Sequence, residues 1–253
     1  MRYSGRRIAT NGSLAAVALP ANVAGGTSTT YNVDNEQSKF NGTSFVYDAN
    51  GNLTSNGSKT YTFDARNHLT GISGGVTASF IYDAFGRRMK KKTVSGAVTQ
   101  FLYDRRNPVQ ELNSSNQATA NLFTGLRIDE FFTRKDSSNN VSTLLPDALG
   151  STIGLVGSGQ SIATSYTYQP FGAPTVVGAS NGNSYEFTGR ENDATGLYFY
   201  RARYYSPTFQ RFTAQDPIGF LGGDPNLYAY VLNDPVLLRD PTGRLLIGLL
   251  SPK

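Results

Sequence analysis

Aspartates are the residues of this sequence whose type and spacing could do chemistry. The chain of 253 residues has no cysteine and a single histidine, His68. It therefore lacks a thiolate nucleophile, and it lacks the ligands of cysteine-bound zinc sites and of two-histidine metal sites. The sequence predicts no metal site and no cofactor, and any catalysis would have to use carboxylates.

Four aspartates near the C-terminus each precede a proline: Asp216, Asp224, Asp234 and Asp240. Two of them, Asp216 and Asp240, also have a glycine three residues later, which is the preferred sequence of a type I turn. A second interpretation is chemical. Two carboxylates held close together cannot both ionise, so one keeps a proton as a general acid while the other activates water. The residue types alone leave both interpretations open.

Short strands and tight turns are the elements that must position these aspartates. The chain has 27 glycines, 15 tyrosines and 15 phenylalanines, and aromatic residues favour strands. An alternation of aromatic and aliphatic residues that ends in Tyr-Asp or Phe-Asp recurs along the first half of the chain, with its aspartates at Asp48, Asp64, Asp83 and Asp104. Their spacing is that of a β-hairpin with its return connection, so we predict an all-β fold of successive hairpins.

The net charge of +5 does not by itself indicate a nucleic-acid partner. The five basic residues between Arg87 and Lys92 lie in a predicted strand without a recognition helix or interleaved aromatic residues, so we interpret them as a solvated hairpin. No segment has the length of a membrane span. The apolar stretch Leu14–Leu19 ends at Pro20 and does not make a convincing signal peptide.

A denser block of motifs follows the repeats. It includes an Asp-x-x-Gly-Ser turn at Asp147, a Gly-Leu-Tyr-Phe-Tyr-Arg-Ala-Arg-Tyr-Tyr run from Gly196 to Tyr205, and a closing Asp-Pro-Thr-Gly that ends at Gly243. With these motifs the sequence resembles the RHS or YD-repeat family, and its second half resembles the RHS repeat-associated core. The Tyr-Asp repeats cover residues 41–112 and the core block covers about 145–243.

The resemblance implies a partial β-shell whose core block closes one end. It divides the chain into a partial repeat (1–40), the Tyr-Asp repeats (41–112), connecting hairpins (113–144), the core (145–243) and a tail without a toxin domain (244–253). Members of the family are secreted or cell-surface proteins that enclose or deliver a C-terminal toxin. The expected partners are therefore the rest of a shell and its toxin cargo, and the start of the chain resembles the interior of a repeat.

The same resemblance implies a candidate reaction, self-cleavage just beyond the second Asp-Pro-x-Gly motif. Carried over to this sequence, the catalytic pair is Asp216 and Asp240, with Arg211 as a possible charge partner. Relatives usually have leucine after that motif, whereas this chain has Arg244 followed by Leu245. The expected cleavage lies between these two residues, and the departure in sequence leaves activity open.

A third function class remains as an alternative. A wall rich in tyrosine, asparagine and aspartate could bind carbohydrate at a cell surface by stacking and hydrogen bonding. The sequence marks no specific sugar site, so this alternative names no residues.

Overall fold

The chain folds almost entirely into short strands and tight turns. The computed structural model describes residues 28–93 and 96–248, and the expected repeat remnant at the N-terminus lies largely outside them. Within those residues there are 23 strands and three short 3-10 helices, which confirms the predicted all-β class. In the same part of the chain, no helix is long and apolar enough to cross a membrane.

The strands of the N-terminal half are short and follow one another closely. They are β1 (Thr29–Tyr31), β2 (Gln37–Phe40), β3 (Thr43–Ser44), β4 (Val46–Tyr47), β5 (Leu53–Ser55), β6 (Thr60–Phe63), β7 (Leu69–Ser73), β8 (Ala78–Tyr82), β9 (Arg88–Lys92), β10 (Val98–Asp104), β11 (Asn107–Leu112) and β12 (Ala118–Thr124).

The remaining strands are longer at first and then very short. They are β13 (Phe131–Asp136), β14 (Val141–Pro146), β15 (Thr152–Val156), β16 (Ile162–Tyr168), β17 (Pro174–Gly178), β18 (Glu191–Asn192), β19 (Tyr198–Tyr200), β20 (Arg203–Ser206), β21 (Arg211–Phe212), β22 (Leu238–Arg239) and β23 (Ile247–Gly248). The 3-10 helices span Phe187–Gly189, Gly219–Gly222 and Val231–Asn233.

One long antiparallel sheet dominates the structure. It contains the fourteen strands β4 to β17, each paired with its neighbours in the sequence. The sheet runs without interruption through residues 113–144 and past residue 145, so its last strands lie in the stretch that resembles the RHS core. Strands β18 to β21 form a separate four-stranded sheet. We call residues 185–243, which contain that sheet, the closing block.

The turns at Asp48, Asp64 and Asp83 have one construction. In the hairpin after β8, the Asp83 carboxylate accepts the backbone N–H groups of Phe85 and Arg87, both at 2.9 Å. Gly86 then adopts the left-handed conformation, with φ at 78°. In the second repeat Asn67 takes that position with φ at 62°, since asparagine tolerates this conformation better than most residues. In each of these turns the aspartate side chain therefore accepts backbone N–H groups, and the fourth residue adopts the left-handed conformation that ends the turn.

A bulge precedes several of these turns. The register of the hairpin between β8 and β9 shifts between Ile81 and Tyr82, and the hairpin between β10 and β11 shifts between Leu102 and Tyr103. A bulge increases the local twist and bends the strand. Its repetition at the same place in successive hairpins adds twist along one margin of the sheet.

The two faces of the sheet differ sharply in burial. In β8, Phe80 is 3% exposed while the next residue, Ile81, is 54% exposed. The buried aromatic and aliphatic residues of the repeats pack against Phe199 and Tyr204 of the closing block. We call this covered side the inner face. The apolar residues of the hairpins are thus buried because the closing block packs against the inner face.

The basic strand β9 corrects one expectation. Arg88 is fully buried instead of solvated, and Arg88 Nη2 lies 2.6 Å from Glu191 Oε2 while Nη1 contacts Asp193. Lys91 Nζ lies 2.6 Å from Glu191 Oε1 and 3.1 Å from Asp193 Oδ1. The closing block covers this part of β9 and supplies both carboxylates. The four side chains form a balanced, buried cluster, which we call the four-charge cluster.

We predict that Arg88→Met destabilises the fold by about 3–5 kcal/mol, because it leaves buried carboxylates without enough positive charge. The measurement is the urea unfolding midpoint, followed by circular dichroism. The matched control is Arg87→Met in the adjacent residue, whose side chain is 41% exposed and pairs with Asp83. That pair is worth about 1 kcal/mol or less. Equal losses in the two variants would contradict a special role for the four-charge cluster.

Candidate functional site

The first candidate carboxylate, Asp216, follows strand β21 and opens a turn. Its backbone N–H donates to the carbonyl of Leu227 at 3.0 Å, and its own carbonyl accepts the N–H of Gly219 at 2.9 Å. Its Oδ1 accepts the N–H of Ile218 at 3.0 Å. Asp216 is thus fixed by its turn through one oxygen, and Oδ2 remains free to face elsewhere.

The second candidate, Asp240, follows strand β22 and is 3% exposed. Its Oδ1 accepts the backbone N–H groups of Thr242 at 3.0 Å and Arg244 at 3.1 Å. This is the arrangement of the Tyr-Asp turns, in which aspartate accepts the N–H groups two and four residues later. Here too, one oxygen builds the turn and Oδ2 is directed away from it.

Arg203 brings the two aspartates together. Its Nη2 lies 2.8 Å from Asp216 Oδ2 and 3.4 Å from Asp240 Oδ2, and all three side chains are buried. The turn interpretation and the paired-carboxylate interpretation therefore do not compete. Each aspartate uses Oδ1 for its turn and Oδ2 for the pair.

Arg203 is itself held from several sides. Its Nε donates to the carbonyl of Gly243 at 2.6 Å, and Nη1 donates to the carbonyl of Leu227 at 2.9 Å. The guanidinium also lies 3.6 Å from the centre of the Phe212 ring, a cation–π contact. These contacts fix the guanidinium of Arg203, which belongs to strand β20. Because that guanidinium contacts both aspartates, it also fixes the distance between them.

The structure places Arg211 away from this pair. Its guanidinium lies 5.0 Å from the ring centre of Tyr31 and 4.8 Å from that of Tyr228, and it donates to the carbonyl of Asn35. Among the described residues it makes no ion pair. The residue that contacts both carboxylates is Arg203, which sequence reasoning missed. No local signal marks it, because its partners are 13 and 37 residues away.

Burial changes the protonation of this cluster. Desolvation raises the pKa of Asp216, and the nearby Arg203 guanidinium opposes that shift only in part. Desolvation also lowers the pKa of Arg203 to about 10, against the opposing influence of the two carboxylates. Arg203 thus remains a cation at neutral pH, while Asp216 holds its proton more tightly than a solvated aspartate.

The expected cleavage site lies beside the carboxylates. A Cβ built on Gly222 would lie 2.9 Å from Asp216 Oδ2 and 3.2 Å from the carbonyl oxygen of Arg244, so both oxygens face the same point. A cavity of about 20 Å³ is lined by Arg203, Asp216, Asp240 and Arg244, which is roughly enough for one water molecule. The absence of a side chain at Gly222 allows this close approach.

The arrangement is suited to acid–base chemistry at a carbonyl group. Two buried carboxylates share one cation, the Arg244 carbonyl oxygen and Asp216 Oδ2 both lie near Gly222, and a water-sized space is lined by the same residues. No group of three or more acidic or histidine side chains is placed to hold a metal ion within residues 28–93 and 96–248. The structure offers a candidate acid–base pair, built from the two aspartates that the sequence had marked.

Comparison with known proteins fixes the family. The family model described as Teneurin YD-shell matches residues 9–236. The chain belongs to the teneurin YD-shell family. Among solved structures, TcdB2–TccC3 matches this YD-shell chain with a TM-score of 0.63 and 25% identity, over 78% of this chain and 11% of that one. The Photorhabdus luminescens Tc holotoxin pore matches with a TM-score of 0.65 and 21% identity, over 90% and 13%.

Curated relatives of this YD-shell chain are named as toxins and nucleases. The tRNA3(Ser)-specific nuclease WapA of Bacillus spizizenii is 35% identical over 176 residues, which is 66% of this chain and 7% of that protein. Toxin subunit YenC1 of Yersinia entomophaga is 40% identical over 92 residues, 34% and 9%. Toxin protein Tse5 of Pseudomonas aeruginosa is 52% identical over 61 residues, 24% and 5%. The chain spans less than a tenth of the length of each of these relatives.

We predict that Asp216 makes the stability of the fold depend on pH. A raised pKa in the folded state contributes stability that is fully present below the pKa of the unfolded chain, about 3.9, and is lost as the pH rises through the folded pKa. Asp216→Asn should therefore flatten the fall in unfolding free energy from about pH 4 upward, in urea titrations at several pH values.

The matched control for that measurement is Asp224→Asn. Asp224 also precedes a proline, and its Oδ1 accepts the N–H of Asn226 at 2.8 Å, but it has no ion pair in the described part of the chain. Asp224→Asn therefore shows how the loss of one carboxylate from an Asp-Pro turn changes the unfolding free energy. If Asp216→Asn and the wild type lose stability in parallel across the pH range, burial of Asp216 does not have the proposed effect.

Proposed function

We propose that this chain is the wall and closing block of an RHS shell that holds a polypeptide cargo for delivery as a toxin outside the producing cell. Its role as a segment of a YD shell follows from its family and fold. The cargo, its release and a secreted or cell-surface location are the proposal, supported by relatives that are named as toxins.

One observation carries the proposal: Arg244 and Leu245, which directly follow the closing block, lie at a cavity on the covered side of the wall. Phe199 and Tyr204 of the block pack on the inner face of the sheet. Arg244 and Leu245 line a cavity together with inner-face residues such as Phe131. A polypeptide that continued from this point would start on the inner side.

The shell function predicts protection of a downstream polypeptide. Residues 28–248 would replace the stretch of the Bacillus spizizenii relative that is similar to part of this chain, and trypsin digestion would report on the polypeptide that follows the graft. We expect that polypeptide to resist trypsin until urea unfolds the wall. A graft that carries Arg88→Met should lose protection at a lower urea concentration. Digestion at the rate of the free polypeptide would contradict the cargo function.

We further propose that Asp216 and Asp240 cleave the peptide bond between Arg244 and Leu245. Asp216, whose raised pKa favours its protonated form, donates its proton to the Arg244 carbonyl oxygen. The Asp240 carboxylate accepts a proton from water, and the water oxygen bonds to the carbonyl carbon. The carbon–nitrogen bond then breaks as the nitrogen of Leu245 takes up the proton held by Asp240, and the proton on the former carbonyl oxygen returns to Asp216 as the carboxyl group of Arg244 forms. Arg203 keeps the carboxylates at a fixed spacing throughout.

Self-cleavage predicts a defined change in mass. Freshly folded wild-type protein should lose the nine residues Leu245–Lys253, as measured by intact-mass spectrometry over time. Asp240→Asn should remain intact, because an amide cannot accept the proton from water. Asp234→Asn, which alters another Asp-Pro pair outside the cluster, should cleave like the wild type. An uncleaved wild type with a β-sheet circular dichroism spectrum would refute the reaction while leaving the shell function standing.

A further inference from the structure

A second cavity opens between the inner face of the sheet and the closing block. Its volume is about 370 Å³, within the range of roughly 300–1,000 Å³ typical of small-molecule sites. Its lining does not include Arg203, Asp216 or Asp240. The sheet contributes Phe85 and Arg106, the closing block contributes Arg201, and Arg244 lies at its margin. The cavity adjoins the proposed cleavage site through Arg244 and Leu245, but none of the three side chains of the carboxylate cluster lines it.

The inner part of the cavity carries more positive than negative charge. Asp129 is 5% exposed and contacts two guanidinium groups, those of Arg190 and Arg201. Arg201 Nη2 lies 2.7 Å from Asp129 Oδ1. One carboxylate therefore faces two cations, and burial together with the charge of Arg201 lowers the pKa of Arg190.

The margin of the cavity adds two further cations. Arg106 and Arg244 are exposed, and neither forms an ion pair with any residue in the described ranges. The other charged residues of the lining are balanced: Arg87 pairs with Asp83, and Glu191 belongs to the four-charge cluster. Arg106 and one of the two cations at Asp129 thus have no acidic counterpart in the lining, while the charge of Arg244 also acts on Asp216, where it opposes the rise in pKa that burial causes.

The floor of the cavity is aromatic. Phe131 and Tyr185 are buried and stack with ring centres 4.2 Å apart, and buried Phe199 adjoins them. At the mouth, Phe85 is 87% exposed. The exposed ring offers a ligand an apolar surface, and the arginines of the lining offer it charge-assisted hydrogen bonds.

We propose that this cavity binds an organic anion, a carboxylate carried on an aromatic or apolar body. The body covers the aromatic floor, and the carboxylate accepts hydrogen bonds from Arg106 and Arg244. The same chemistry has two sources: a free small acid, or an acidic and aromatic segment of a polypeptide held against the inner face. The second source rests on the proposed cargo function and the first does not.

The test is calorimetric titration of the 253-residue chain carrying Asp240→Asn, which stays intact whether or not the wild type cleaves itself, with 3-phenylpropionate and with 3-phenylpropionamide, which has the same body without the charge. We expect saturable binding of the acid and binding of the amide that is weaker on the order of tenfold, because hydrogen bonds to a charged group are the stronger ones. Binding of the acid should weaken as salt is added. Equal affinities for acid and amide, or no saturation by the acid at millimolar concentration, would overturn the proposal.

Variants locate the site. Arg106→Gln should weaken binding of the acid on the order of tenfold and leave binding of the amide unchanged. The matched control is Arg127→Gln, since Arg127 is equally an exposed arginine but lies outside the lining. Because the Arg106 side chain is exposed, this variant should fold. Equal effects of the two substitutions would overturn the assignment.

A peptide arm separates the two sources. The probe is the capped tetrapeptide acetyl-Gly-Phe-Glu-Gly-amide, which presents a carboxylate beside an aromatic ring. Tighter binding of the peptide than of 3-phenylpropionate, with the same loss in Arg106→Gln, supports the polypeptide source. Tighter binding of the free acid supports the small-molecule source. Both results keep the site, and the second leaves the cargo function to be judged by its own protease test.

Discussion

The inner face of the long sheet must be covered, and this constraint governs the rest of the structure. Most of the fourteen strands present apolar side chains on one side, and no hairpin can bury them alone. The closing block covers this face mainly with aromatic residues, while the four-charge cluster fixes where it sits. Since Arg88 and Lys91 are buried, they require Glu191 and Asp193 at one place, so a block shifted along the sheet would leave charges unpaired.

The repeats were predictable from the sequence because their signals are local. A Tyr-Asp or Phe-Asp pair followed by glycine or asparagine contains its whole turn, and at Asp48, Asp64 and Asp83 the structure builds the turn from contacts within five residues. The inward orientation of both Arg88 and Lys91 was not predictable, because strict alternation in a strand would place residues three apart on opposite faces of the sheet. Tyr82 pairs with Arg88 while Ile81 pairs with Lys90, so Met89 is the extra residue of a bulge. The bulge turns both cations inward.

The candidate site likewise has features that the sequence predicts and features that it does not. The two Asp-Pro-x-Gly turns can be predicted from their local sequence, and the resemblance to the RHS core implied that their aspartates act as a pair. Arg203 was not readable, because it meets Asp216 and Asp240 only after three separate segments of the closing block have packed together. Arg211, which lies nearer to Asp216 in the sequence, packs between Tyr31 and Tyr228 instead. The resemblance offered Arg211 as a possible charge partner, but strand β21 carries it toward the N-terminal hairpin.

The substrate of the proposed reaction is part of the fold, and this limits the reaction to a single event. Arg203 holds the carbonyl of Gly243, and Asp240 holds the N–H of Arg244. Both contacts lie on the N-terminal side of the bond that would break, so they persist after cleavage and keep the new terminus in place. The new carboxylate then occupies the space that another peptide would need. It also adds negative charge beside two carboxylates that share one cation, which favours the protonated form of Asp216. The geometry that makes cleavage feasible also stops it after one turnover.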